Sequence, residues 1–201
     1  CREGAQILQE GGRVGNFYTY KHAGFTDDGD WLVWNYDNTE AIPIEEASIK
    51  DKRVTGNGLP KFTFSLGNTF KYKDFDLSIF FRSALGFDIL NVHNMYYGIS
   101  SATGNVLKRA YGKNAHIKKG NNILTDYFME KGDYLKLDVI TLGYRVPVKN
   151  NWIDGMRVYA TARNLATFTK FTGVDPSTYQ INGLAPGTFS TNNGMNGSRR
   201  Y

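Results

Sequence analysis

The residues of this 201-residue sequence that could do chemistry are three histidines, one cysteine and a few carboxylate pairs. Their spacing argues against it. His22, His93 and His116 lie far apart, with no second His or carboxylate at the short spacing of a metal site. Each therefore reads as a surface or loop histidine. Asp27-Asp28-Gly29-Asp30 offers the carboxylates of a calcium loop but lacks the repeated ligand spacing and closing Glu of an EF-hand. A β-turn is the better reading. Ser65, Ser83 and Ser100 have no nucleophile-elbow context, and Glu45-Glu46 sits in a polar stretch where solvated charge is the default. Cys1 stands alone, so no internal disulfide or thiolate cluster can form. It reads as the cut start of a longer chain, the other reading being an acylated lipoprotein start. No catalytic, metal-ligating or cofactor-binding residue is assigned, and the sequence does not point to an enzyme.

Binding chemistry is better represented. Leu107–Gly120 carries Lys108, Arg109, Lys113, Lys118 and Lys119. It could meet lipopolysaccharide phosphates or simply be a solvated loop, the default reading. Nucleic acid is not expected, because no recognised module gathers the basic residues on one element. The net charge of +5 is modest and spread along the chain. Trp31, Trp34, Tyr96 and Tyr97 are candidate ligand-binding aromatics, since a ring face suits a sugar ring. Packing of the loops against one another is the favoured use of the same side chains.

The elements that must position these groups are strands. Aromatics and 22 glycines lean toward strands and turns rather than helix bundles. In Lys61–Phe70, Phe62, Phe64, Leu66 and Phe70 alternate with polar residues. After the turn Lys71–Asp74, Phe75, Leu77, Ile79 and Phe81 alternate again, which predicts an antiparallel hairpin. Tyr134–Pro147 alternates with a phase slip near Val139–Ile140, the mark of a bulge or of a strand leaving an apolar zone. Met156–Phe168 sets Val158, Ala160 and Ala162 against Arg157, Tyr159, Thr161 and Arg163, a thin apolar face whose orientation the pattern leaves open. Val14–Phe25 and Trp31–Tyr36 suggest another hairpin around Asp28-Gly29.

The connections between the long strands alternate between short and very long. Long structureless connections are uncommon in compact soluble domains. Short turns on one side and long loops on the other describe an outer-membrane barrel, whose tilted strands need about 9–11 residues to cross a bilayer. On that parity Tyr72, Tyr144 and Trp152 would share an aromatic girdle near the short turns, with Tyr134 and Phe87 toward the other interface. Four to six strands cannot close such a barrel, so the chain would be part of one, with exposed edges expected at Val14 and Phe168.

Three blocks carry a resemblance. "GNGLPKFTFSLGNTFKYKDFDLSIFFRSALGFDILN", "GDYLKLDVITLGYRVP" and "RVYATARNLATFTKFTGVDPS" are similar to the SusC/RagA-type TonB-linked outer-membrane proteins of Bacteroidetes. In the last block Arg157, Tyr159, Asn164, Leu165, Gly173, Asp175 and Pro176 match the family pattern, and upstream "GGRVGNFYTYKHAGF" resembles its Gly-x-Phe-x-x-Tyr segment. The resemblance implies an all-β fold: part of an antiparallel up-and-down transmembrane barrel of about 22 strands. Residues 1–201 would be a partial C-terminal barrel domain, with signal peptide, plug and last strand outside them, the chain stopping at "NGSRRY" in the last external loop. It further implies the outer membrane as location, import of oligosaccharide or other nutrient fragments (glycan or peptide), energy from TonB through the missing N-terminal part, and a SusD-like surface lipoprotein as partner. No cofactor is implied.

Under this reading Phe62, Phe64, Leu66, Phe75, Leu77, Ile79 and Phe81 face outer-membrane lipid. Asp76, Ser78 and Arg82 point into a wet lumen, and Phe80 breaks the rule, packing against a plug or inward loop. The alternative is a small soluble carbohydrate-binding β-protein. It would have to cover that apolar face with a second layer.

Overall fold

The computed structural model describes residues 2–3, 5–101, 104–118, 123–148, 155–178 and 186–189. Cys1, Lys119, Trp152 and the terminal Asn196–Tyr201 lie outside them. In chain order the strands are β1 (Arg2–Glu3), β2 (Gln6–Ile7), β3 (Asn16–Tyr20), β4 (His22–Phe25), β5 (Trp31–Trp34), β6 (Ala41–Pro43), β7 (Lys52–Asn57), β8 (Phe62–Tyr72), β9 (Phe75–Leu85), β10 (Asp88–Asn91), β11 (Met129–Lys131), β12 (Tyr134–Val146), β13 (Met156–Thr169) and β14 (Thr188–Phe189). A six-residue helix, α1 (Val92–Tyr97), follows β10.

Strand length divides the molecule into two parts. β8 and β9 have 11 residues each, β12 has 13 and β13 has 14. They form one antiparallel sheet in the order β13-β12-β9-β8, hereafter the wall. Its hairpin turn is tighter than the sequence pattern suggests: Tyr72 pairs directly with Phe75, leaving Lys73 and Asp74 as the loop. Lys73 takes φ 52°, a left-handed conformation that hairpin turns commonly require.

The phase slip in β12 is a bulge. Leu137 pairs with Phe81 and Val139 with Phe80, so Asp138 is the extra residue. On the β13 side the ladder runs from Leu137–Ala166 to Val139–Arg163, passing over Asn164 and Leu165, with Asn164 at φ 53°. The bulge keeps Leu135 and Leu137 on the same face as Ile140, Leu142 and Tyr144 despite the odd spacing. The same register settles β13: Ala162, Ala160 and Val158 stand opposite Ile140, Leu142 and Tyr144, on the apolar side.

The remaining strands build a cap at the end of the wall away from the Lys73–Asp74 turn. Its sheets are β1-β2-β3-β7, β4-β5-β6 and β11-β10-β14. Phe17, Trp31, Leu90, Met95, Ile99, Ile117 and Phe128 form its core, drawn from both the segment before β8 and the connection from β9 to β12. That connection, read from sequence as a long loop, therefore contains β10, α1 and β11 packed into the cap.

The hairpin around Asp28-Gly29 forms, but only between β4 and β5. Asn16–Tyr20 instead pairs with β2 on one side and β7 on the other, so the edge expected at Val14 is not exposed. The free edges of the wall are β8 and β13. Two hydrogen bonds close the junction of wall and cap: the amide of Asn57, in the cap strand before β8, donates to Asp88, in the cap strand after β9, at 3.1 Å, and the amide of Gly86, just after β9, donates to Asp133, just before β12, at 2.6 Å. Between them Ala84, Phe87, Ile89, Tyr134 and Phe171 pack as a second buried cluster.

Candidate functional site

Alternation along four registered strands gives the wall two unlike faces. One carries Phe62, Phe64, Leu66 and Phe70 of β8 beside Leu85, Ser83, Phe81 and Leu77 of β9, and extends through Ile79, Phe75, Leu135, Leu137, Ile140 and Leu142. Phe62 is 69% exposed and Leu66 59%. Phe75 is likewise exposed, while Leu77, Ile79 and Phe81, in the middle of the sheet, are half-buried by their neighbours. No layer of the described residues covers this face. A contiguous apolar surface of that extent marks a site of contact with another apolar body. Tyr72 is exposed beside it at the turn end, and Tyr144 stacks on Phe75 with centroids 4.6 Å apart. Trp152, the third girdle residue, lies outside the described residues. Phe87 and Tyr134 do sit at the opposite end, but buried in the cluster that joins wall to cap, where the chain turns inward after β9.

The other face is polar and internally paired. Arg157 of β13 grips Asp76 of β9 through Nε (3.0 Å) and Nη2 (2.5 Å), reaching across β12. The residue crossed is Gly143, whose neighbours in the ladder are Asp76 and Tyr159. A Cβ there would stand 2.6 Å from Asp76 Oδ1 and closer still to Arg157 Nη2. Only glycine leaves room for the bridge. Lys71 and Arg145 line the same concavity, a cationic rim around one neutralised carboxylate. Farther along, Arg82 meets the bulge residue Asp138 at 3.0 Å. Hydroxyls pair across the strands, Thr69 with Ser78 and Thr141 with Thr161, both at 2.9 Å. Phe80, the apolar exception, lies over Gly67 of β8, in contact at 3.4 Å with the place its Cβ would occupy. An aromatic ring laid over a strand glycine shields backbone that has no side chain of its own.

At the cap end, Lys136 is 3% exposed and donates to Asp175 (2.6 Å) and Ser177 (3.1 Å). Asp175 also accepts from the amide of Ser177 at 2.8 Å. Burial alone would raise the Asp175 carboxyl, but the hydrogen bonds from Lys136 and Ser177 outweigh it and hold the group below its ordinary value. The Gly-x-Asp-Pro-Ser segment, which follows β13, is thus fastened to the wall by a lysine of β12, 39 residues earlier in the chain.

The aromatic candidates divide. Trp31 is 1% exposed, in ring contact with Phe25, Tyr127 and Phe128 at 4.8 to 5.5 Å. It packs the cap, the favoured of the two readings. Trp34 is half-buried on the same strand. Tyr96 packs against the cap core and Tyr97 stacks on His93 at 5.1 Å. The structure does not bring the four together into one ring platform.

His22 joins Phe25 and Tyr127, 4.7 and 4.9 Å away, and its amide donates to Asp126 at 2.7 Å. Burial lowers its imidazole below the ordinary value, a nearby Asp126 charge opposing and His116 reinforcing. His116 meets the same Phe25 ring edge-on, with centroids 4.6 Å apart. Two of the three histidines thus converge, a meeting that their separation in sequence conceals. Among the described residues no group of three or more His, Cys, Asp or Glu could hold a metal ion. The Asp27–Asp30 segment is a turn, closed by Gly29 donating to Thr26 at 2.9 Å. Gly29 is at φ 81°, and a Cβ there would strike the carbonyl oxygen of His116.

The basic stretch is likewise folded in. Arg109 approaches Glu130 at 3.8 Å, Lys113 lines a polar cleft of about 330 Å³, and the amide of Lys118 donates to Gly29. Sequence reasoning missed the Asp76–Arg157 bridge and Lys136–Asp175. Neither pair has a local signal, since each needs the register of three strands or a returning loop.

No family model matches the chain. It is similar to TonB-dependent receptor P3 of Formosa agariphila, 27% identical over 192 residues that cover 85% of this chain and 19% of that protein. It is also similar to TonB-dependent receptor SusC of Bacteroides thetaiotaomicron, 30% identical over 144 residues, 63% of this chain and 14% of that one. Its fold matches the structure of the RagAB peptide importer in the closed-closed state with a TM-score of 0.68 at 19% identity, over 87% of this chain and 21% of that one. In the open-open state the TM-score is 0.66. The matched stretches span between 14% and 21% of the length of these proteins. The wall accordingly has the fold of a sector of a β-barrel, its sheet open at β8 and β13.

Proposed function

We propose that the chain is a segment of a SusC/RagA-type TonB-dependent receptor, and that it supplies part of the wall and the outer cap of an outer-membrane barrel that imports nutrient fragments. On this reading residues 1–201 are a partial C-terminal barrel domain. The apolar wall face, with Phe62, Phe64, Leu66, Phe75, Leu77, Ile79 and Phe81, lies against lipid. The Asp76–Arg157 face lines the lumen, and the cap stands outside the cell above the long-loop ends. The observation that carries it is the pairing of an uncovered apolar face with an ion-paired polar face on strands of 11–14 residues. Water would not leave the first face bare, and lipid would not accept the second.

TonB would act through the part of the receptor that precedes this segment, and a SusD-like surface lipoprotein would close over the cap. The cargo is a glycan or peptide fragment: one matched relative carries the name SusC, and the matched structures are of a peptide importer. Among the aromatics Trp34, Tyr96 and Tyr97 keep partly open surface for cargo, whereas Trp31 is committed to the cap core.

Cysteine labelling tests the facing. In the full-length receptor in outer-membrane vesicles, a cysteine at Leu77 should react with a lipid-phase thiol reagent and resist a charged one. A cysteine at Ser78 should do the opposite. Equal reaction of both positions with the charged reagent would defeat the membrane reading.

A further inference from the structure

Where wall meets cap, the apolar face does not simply end. Phe64, Leu85, Leu135 and Phe168 floor a groove of about 780 Å³ whose upper rim is made by Lys131 and Lys170. The same two lysines also line the polar cleft of the cap, together with Arg109 and Lys113. An apolar groove and a cationic cleft therefore run into each other across one pair of lysines.

The acids present are already engaged. Asp88 takes Lys131 at 2.7 Å, Glu130 accepts from Thr172 at 2.7 Å and faces Arg109, and Asp133 accepts from the amide of Gly86. Among the described residues, Lys113 and Lys170 have no ion-pair partner. What fits is a molecule with hydrocarbon at one end and negative charge at the other.

Resting on the membrane reading above, we propose that this junction binds a phosphorylated glycolipid of the outer leaflet. Its acyl chains would lie in the groove, and its headgroup phosphates at Lys131 and Lys170, reaching toward Lys113. The height is right for such a contact, since on that reading the groove lies where the wall emerges from hydrocarbon and the lysines stand one step above. Cations placed at a membrane surface each add favourable attraction to anionic headgroups. The assignment shifts lipid recognition from the Leu107–Gly120 stretch as a whole to two lysines outside it.

The test uses the full-length receptor in mild detergent, incubated with diphosphorylated lipid A or with the same lipid after phosphatase treatment. Lipid retained per receptor is then counted by mass spectrometry. The receptor should retain the phosphorylated form roughly tenfold or more over the dephosphorylated one. Lys131→Gln/Lys170→Gln should abolish that preference, Lys170→Gln alone should reduce it, and Lys71→Gln, at the far end of the wall, should leave it intact. Equal retention of the two lipids by the unaltered receptor, or an unchanged preference in the double variant, overturns the proposal. Heat-modifiable gel migration of each protein after insertion into vesicles separates the two readings. A receptor that fails to insert refutes the membrane assignment itself, whereas one that inserts normally but shows no phosphate preference refutes only the lipid site.

Discussion

Arg157 and Asp76 hold each other across a strand that belongs to neither, and Gly143 of β12 is the gap through which they do so. The bridge fixes the lateral spacing of three strands at one level of the wall. Replacing Gly143 with Val should push the pair apart and cost roughly 1–3 kcal/mol, the usual penalty of overpacking. A urea titration of the full-length receptor folded in lipid vesicles reads this directly. An unchanged midpoint would mean that the strands separate without strain.

Facing gives the second expectation. Ile79 shares its face with Ile140, and Ser78, one residue away, stands with Thr69 and Thr141 on the polar side. In the same titration Ile79→Arg should lose roughly 2–4 kcal/mol while Ser78→Arg stays close to neutral. Equal losses would contradict the assignment of faces.

Lys136 is nearly buried and Asp175 is its acceptor, with 23% of the carboxylate side chain exposed. Lys136→Ala should destabilise by roughly 3 kcal/mol, the low end expected for a broken buried pair because Asp175 keeps some water.

The same carboxyl makes the contact sensitive to acid. Its folded value lies below the ordinary 3.8. The stabilisation is therefore fully present above that value and disappears as pH falls through the lower, folded one. Protease cleavage within Thr172–Thr178 should accelerate only in that acid range, and in Lys136→Ala it should be fast at neutral pH already.

His22 makes the cap sensitive to acid as well, in a milder pH range and for a different reason. Burial holds its folded value below the ordinary 6.5. The unfolded chain therefore binds the proton more readily, and cap stability declines as pH drops below that ordinary value. Hydrogen exchange of the Trp31–Trp34 strand should quicken between neutral and mildly acid pH, and His22→Phe should remove the change.

The wall was largely legible in the sequence because its information is local. Period-2 alternation in Phe62–Phe70 and Phe75–Phe81 announces the hairpin and its faces, and the slip at Val139–Ile140 announces the bulge at Asp138. The cap was not legible, because its pairings are distant. Nothing around Asn16–Tyr20 says that its neighbour will be Lys52–Asn57 rather than the strand that follows it. Nor does the sequence say that Trp31 will be enclosed by Tyr127 and Phe128. The polar face fell between these cases: the residue types could be read along each strand, but their partners appear only when three registers are laid side by side.

The tie between Asn57 and Asp88 has a consequence for how the hairpin behaves in time. Phe62–Leu85 is turned by Lys73–Asp74 at one end and knotted to the cap at the other, so neither strand can slide along its partner without first tearing the cap open. A slip of one residue would invert every side chain of the sliding strand, trading its greasy surface for its wet one. The cap is thus a register lock, in which a contact between residues 31 apart guards the molecule's most local pattern.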